Sequence, residues 1–316
     1  MAKDTGIMPL WQRVLVAIAG PVLKLLFIGG TDSESVLRLG TRYRLRGFEV
    51  SYDLMLENVR ESRVLRRHVY ATLHQFADKM TYDNMGNIVV KPSMLGLGLH
   101  DVSPVAAEHT FAGYLRGLSF KIMKKFPEGD VDIEIDAETH ADLRRQYAVL
   151  ADLRRTSDFF RKHVRLAVQM HSRDMPEIVD EYKLIDGPIR IVKGRGVYRD
   201  DASIAVSEAE VLARYRDVAV RALHQKTRPY LATMRDRKFI MGLIKKLHAL
   251  GYSSDEFEIQ MLHGIGMKLA RELRDKGYIV RIYIPFVMPW CADAWKGYVG
   301  RRITMFLGLM YGWYAK

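Results

Sequence analysis

The chain has 316 residues, carries 49 Lys+Arg against 37 Asp+Glu for a formal charge of +12 at pH 7, and is 48% hydrophobic with 27% charged residues. That balance excludes a disordered chain, and a single cysteine, Cys291, excludes a disulfide scaffold or a cysteine-based metal cluster. One cysteine suits a reducing compartment, and the length allows either two domains or one large α/β barrel.

The longest apolar stretch is residues 14–28, bounded by Arg13 and interrupted by Pro21 and Lys24, which leaves it short of a bilayer span. It reads as a helix packed on the domain, with an amphipathic helix at a membrane surface as the second reading. No small-residue cleavage site follows it, so no signal peptide is expected. Gly29-Gly30 marks a turn and Thr31-Asp32-Ser33 a helix cap, so residues 1–47 read as an N-terminal helical arm.

From residue 48 onward, short β-branched runs alternate with helical stretches. The strand candidates are 48–52, 87–91, 131–135, 164–170, 189–193, 229–233, 257–261 and 280–284. Amphipathic periodicity predicts helices over 141–162, 206–225, 236–250 and 267–276. Several strands are apolar at consecutive positions, as strands covered on both faces must be. Eight strand–helix units point to a parallel (β/α)8 barrel of the TIM type over residues 48–316 rather than a doubly wound sheet, which has fewer strands.

The basic residues are scattered (Arg42, Arg44 and Arg46; Arg60, Arg63, Arg66 and Arg67; Arg144, Arg145, Arg154 and Arg155) over the polar faces of apparent helices. They read as solvated surface. No aromatic–basic stripe or zinc-finger spacing accompanies them, and no nucleic-acid partner is expected.

In a barrel, polar residues at the C-terminal strand ends face the active site. Lys91 ends strand two, Asp136 and Glu138 follow strand three, Gln169 ends strand four with His171 and Arg173 just after, and Arg190 and Lys193 lie on strand five. Glu258 and Gln260 share a face of strand seven, where a buried salt bridge would explain them equally well; strand eight carries Arg281 and Tyr283. Together they place cations and carboxylates around one mouth, where burial is costly unless they pair or hold a polar ligand. No Walker-type loop, GxGxxG, HExxH or nucleophile elbow is present, and no metal site is expected.

The ordered segments IDAE, IRIVKG, LATMRD, FEIQMLHG and VRIYIP…GYVGRRI, with VVKPSMLGLGL and FIGGTDSESVLRLGTRYRLRGFEVSYDLMLE upstream, resemble the proline dehydrogenase family from about residue 27 to 302. The resemblance implies a distorted (β/α)8 barrel with FAD at the C-terminal strand ends. It implies hydride transfer from the carbon beside the proline nitrogen to flavin N5, with Δ1-pyrroline-5-carboxylate as product and a quinone or other electron acceptor reoxidising the flavin. By the same resemblance Lys91 and Asp136 lie near substrate, and Arg190 reaches flavin N5. Gln169, Arg173, Lys193, Gly194, Thr233, Glu258 and Gln260 fall on the flavin side, while Tyr283, Tyr298, Arg301 and Arg302 enclose the substrate and bind its carboxylate. A guanidinium pair suits a planar carboxylate and fixes orientation, which is most of what hydride transfer asks of the protein.

The segment depart from the family pattern in places. KGAY becomes KGRGVY, which sets Tyr198 two residues late; Met234 replaces a histidine; QAY becomes Gln169-Met170-His171; and Val287 stands where glycine is common. These changes touch the substrate roof and flavin pocket, so a variant oxidising another cyclic or secondary amine or a modified amino acid is the alternative. A non-catalytic barrel that binds a partner is the second alternative. The expected location is cytoplasmic, with peripheral contact at the inner face of a membrane left open.

Overall fold

The computed structural model describes residues 20, 22–57, 59–129, 131–138, 140–194, 205–232, 236–296 and 299. Among them, eight parallel strands close in chain order: β1 (Glu49–Leu54), β2 (Asn87–Val90), β3 (Ile133–Ile135), β4 (Val164–Gln169), β5 (Ile189–Val192), β6 (Pro229–Ala232), β7 (Glu258–Leu262) and β8 (Ile279–Phe286). Each overlaps one of the runs expected from sequence, because β-branched and aromatic residues on consecutive positions serve a strand that faces the barrel on one side and helices on the other. β1 pairs with β8 from Glu49↔Arg281 to Leu54↔Phe286, which closes the ring.

The helices begin where side chains replace missing backbone partners. Asp32 accepts from Ser35 N at 2.8 Å ahead of helix Ser33–Arg44, Ser103 accepts from Ala106 N at 3.2 Å ahead of Pro104–Lys125, and Asp236 accepts from Phe239 N at 2.8 Å ahead of Arg237–Ala249. The helix expected over 141–162 is two helices, His140–Thr156 and Asp158–His163. Thr156 turns its hydroxyl back to Asp152 O at 3.0 Å and Ser157 is extended, which ends the first helix and lets the chain bend into β4.

The main core lies between strands and helices, with Tyr52, Phe76, Phe111, Tyr147 and Tyr215 among its largest buried side chains. Val36, Leu37 and Tyr43 of helix Ser33–Arg44 join this core beside Phe48, Val50 and Tyr52. The segment before that helix is stitched to the end of β8, Gly29 N donating to Pro285 O at 2.7 Å and Val287 N to Gly30 O at 3.1 Å. A second apolar cluster sits at the C-terminal strand ends, made by Phe27, Ile28, Met55, Leu262, Ile265, Val287 and Trp295 with the Tyr283 ring against it. Within the described residues no helix is long and apolar enough to cross a membrane.

One of the arginines read as surface is not. Arg154 is buried and donates to Leu184 O at 2.8 Å, Val164 O at 2.8 Å and Pro188 O at 2.7 Å, tying helix His140–Thr156 to the starts of β4 and β5. Arg144 is half-buried and Arg155 exposed, paired with Glu177 and Asp152.

Candidate active site

Alternation along a strand sends every second side chain into the barrel, and here the inward set is polar. Asp53 comes from β1, Lys91 and Asp136 directly follow β2 and β3, Gln169 ends β4, Arg190 comes from β5 and Tyr283 from β8. At the mouth they pair. Lys91 Nζ lies 2.6 Å from Asp53 Oδ1, both side chains being about 5% exposed or less. Arg190 NH2 lies 2.5 Å from Asp136 Oδ1, and the Tyr283 hydroxyl donates to Asp136 Oδ2 at 3.3 Å. The Arg190 guanidinium also stands 4.9 Å from the centre of the Tyr283 ring, a cation–π contact.

The charges are held by one another. Burial alone would strip the proton from Lys91, but Asp53, Asp136 and Glu57 outweigh it and hold the ammonium pKa above its ordinary value. Burial also works against Asp136 ionising, yet Arg190 and Lys91 outweigh it and hold that carboxyl below the usual range. Burial, reinforced by Asp136 and Asp53, pushes the Tyr283 phenol well up, so it stays a protonated donor. The mouth is a set of two cations and two carboxylates with one phenol, joined on the Tyr283 side to the apolar cluster.

Below the mouth a second polar layer fills the barrel. Glu258 receives Arg281 on both oxygens, at 2.7 and 3.0 Å, and Arg165 at 3.5 Å. Arg281 also donates to Val50 O at 2.6 Å, Arg165 pairs with Asp132 at 2.6 Å, and Arg165 lies 3.5 Å from the Tyr230 ring centre. Gln260 donates to Glu258 at 3.2 Å. Glu258 opens its strand, at the end remote from the mouth, so the structure corrects the expectation for Glu258 and for Arg281: they form an interior ion pair rather than part of the rim. Gln260, two residues further toward the mouth, gives its Nε2 to that layer and leaves Oε1 without a hydrogen-bond partner among the described residues.

The remaining flavin-side expectations fall in different places. Gln169 is buried, with Nε2 3.4 Å from Ala137 O. Gly194 has φ +82°, and a Cβ there would come within 2.2 Å of His171 Nδ1, so only glycine fits this turn beside Gln169 and His171. Lys193 points its ammonium at Asp236 (3.0 Å) and Glu208 (3.3 Å). Arg173 is exposed on the turn after β4. Thr233, Tyr298, Arg301 and Arg302 lie outside the described residues, as do Tyr198 and Met234. Sequence reasoning missed Asp53, although its position two residues after Ser51 on an inward face was there to be read.

A family model described as proline dehydrogenase matches residues 199–303. Proline dehydrogenase 2 of Bacillus subtilis is 24% identical over 280 residues, which cover 88% of this chain and 84% of that protein. The proline dehydrogenase of Deinococcus radiodurans is 35% identical over 117 residues, 37% of this chain and 35% of that one. On these matches the chain is similar to proline dehydrogenases, most strongly over residues 199–303. Among solved structures, proline utilization A from Bdellovibrio bacteriovorus, inactivated by N-propargylglycine, superposes with a TM-score of 0.75 over 90% of this chain at 20% identity. That likeness concerns the fold, and this chain spans 33% of the length of that much larger protein.

Given this similarity to proline dehydrogenases, the residues of the mouth bear on whether a flavin fits there. The donors there are N–H rich, from Lys91, Arg190 and Gln169. Arg190 Nε is buried without a hydrogen-bond partner among the described residues, an unused donor that suits an electron-rich planar ring. The tight turn at Gly194 brings backbone rather than side chain to the rim beside it. These residues fit the group. No cluster of three or more metal-ligating side chains occurs among the described residues.

Proposed function

We propose that this protein is an FAD-dependent proline dehydrogenase, oxidising the C–N bond of L-proline to the imine Δ1-pyrroline-5-carboxylate and passing the electrons to a quinone or another acceptor. The observation that carries the reading is the convergence of Lys91, Asp136, Arg190 and Tyr283 from four separate strands onto one mouth, in a chain similar to proline dehydrogenases. In this reading residues 48–316 form the catalytic barrel and residues 1–47 the helical arm, and the enzyme works in the cytoplasm with peripheral access to a membrane-borne acceptor.

Bound FAD would supply the ring that accepts the hydride. The chain's own residues do the rest by placement. Lys91, kept protonated by Asp53, offers a fixed cation to a substrate carboxylate, and the arginine pair Arg301 and Arg302 is assigned to that same carboxylate. Asp136 offers its ionised carboxylate to the substrate amine end. The Tyr283 ring and the apolar cluster behind it, with Met55 and Leu262, give the aliphatic ring an unpolarised wall and exclude water from it. Arg190 places a lasting positive charge where negative charge accumulates on reduction. Gln169, Arg173, Lys193, Gly194, Thr233 and Gln260 are the residues we assign to the flavin side.

The test is an anaerobic absorbance spectrum of the purified protein, reconstituted with FAD and titrated with L-proline. Bleaching of the oxidised flavin band is expected. A flavin that binds but stays oxidised with proline and bleaches with another cyclic amine would move the substrate to that amine, and absence of flavin after reconstitution would overturn the reading.

A further inference from the structure

Glu134 has no part in the mouth, yet its geometry bears on it. It sits on β3 two residues before Asp136, so both carboxylates enter the barrel from the same strand, one layer apart. Its Oε1 is fixed from two sides, by Ser51 Oγ at 2.5 Å and Asn87 Nδ2 at 2.8 Å, with Gln260 Nε2 farther off at 3.5 Å. Its Oε2 is buried and makes no hydrogen bond among the described residues, and the charged group that oxygen meets is Arg190, whose NH1 is 3.7 Å away. The other side of the same guanidinium is taken by Asp136 at 2.5 Å. Arg190 is therefore suspended between two carboxylates of one strand, bonded to the upper and attracted by the lower.

We propose that Glu134 is a positioning residue that holds Arg190 down into the barrel and damps the positive charge it presents at the mouth. Two unlike supports do this better than one. A guanidinium bonded only to Asp136 is free to follow that carboxylate toward the rim. The lower charge, locked by Ser51 and Asn87, opposes that movement without saturating the remaining N–H. Glu134 also sees Arg165 NH1 at 3.7 Å, so neutralising it leaves two arginines less compensated and raises the positive potential at the top of the barrel. The inference rests on the flavin reading of the mouth, because its measurable consequence is the ease with which bound flavin is reduced.

The experiment compares wild type, Glu134→Asp and Glu134→Gln as FAD-reconstituted proteins, by equilibrium reductive titration against a redox dye and by flavin binding through fluorescence quenching. Glu134→Gln is expected to shift the reduced-to-oxidised ratio at a fixed potential about tenfold toward reduced, about 30 mV upward for a two-electron couple. Glu134→Asp keeps the charge but withdraws it, and is expected to lie between the two with flavin affinity within about threefold of wild type. It also answers the question should the glutamine variant fail to fold. A flavin-loaded variant with the wild-type midpoint, or a downward shift, would overturn the role of Glu134. Wild-type protein that binds no FAD would instead sink the flavin reading itself.

Discussion

Asp136 and Arg190 meet at 2.5 Å across the end of β4, bringing a residue that follows β3 against one from β5. The pair is what ties the substrate end of the mouth to the flavin end. Asp136→Asn would leave Arg190 and Lys91 facing one fewer charge and loosen both. The expected outcome is a fall of about 100-fold in kcat/KM for L-proline, the scale set by misplacing a catalytic constellation by an ångström. Asp136→Glu should retain more activity than Asp136→Asn. Steady-state kinetics with an artificial electron acceptor measures both.

Tyr283 contributes a ring and a hydroxyl that separate cleanly. The hydroxyl bond to Asp136 is long at 3.3 Å, whereas the ring touches the apolar cluster and receives Arg190 over its face. Tyr283→Phe is expected to cost less than about tenfold in kcat/KM, the scale of one weak neutral–ion hydrogen bond. Tyr283→Ala should cost considerably more, chiefly in KM. Equal losses in the two variants would argue that the hydroxyl, not the wall, is what matters.

Glu258 is the hub of the interior layer, with Arg281 and Arg165 both leaning on it, and those cations hold its carboxyl below the usual range although burial opposes ionisation. Glu258→Gln leaves two buried guanidiniums undercompensated. A loss of about 3–5 kcal/mol in unfolding free energy is expected, read as a lower urea midpoint. A surface pair such as Arg155–Asp152, cut by Asp152→Asn, should cost under about 1 kcal/mol and serves as the contrast.

His263, just after β7, lies 2.8 Å from the Tyr43 hydroxyl, and burial, with Arg42 adding to it, depresses its pKa to about 4. Above the ordinary value of 6.5 folded and unfolded chains both hold it neutral, so it contributes nothing there. Between pH 6.5 and 4 the unfolded chain takes up a proton that the folded one refuses, and stability falls by about 3 kcal/mol across that window. Denaturation midpoints measured from pH 7.5 to 4 should drop more steeply for wild type than for His263→Gln. Parallel curves would show that His263 is not refused its proton in the folded protein.

All eight strands were legible because strand patterning and barrel closure ask for the same residues, apolar and β-branched on consecutive positions. What alternation supplies is direction, inward or outward. Height within the barrel is another matter, since it depends on the register of each strand against its neighbours, and that is set by pairs such as Glu49↔Arg281 far apart in the chain. Hence Lys91, Asp136, Arg190 and Tyr283 were placed together correctly as inward residues, while Glu258 and Arg281, equally inward, turned out one layer or more below. Arg154 was hidden for a related reason. It looks like any arginine on the polar side of a helix, and only the fold brings three backbone carbonyls to it. Ser157 showed no breaker of the glycine or proline kind, so the helix end at Thr156 went unread.

The polar interior also governs how the barrel can be assembled. β8 must find β1 and β7 at once, and Glu49↔Arg281 joins positions separated by most of the chain. Were β8 to slip by a single residue, Arg281 would turn out among the helices and Val280 or Ile282 would face Glu258. An all-apolar interior would tolerate that slip with little penalty. Here the error strands a carboxylate and a guanidinium on opposite sides of one wall, so the ion pair works as a key that admits a single closure of the ring.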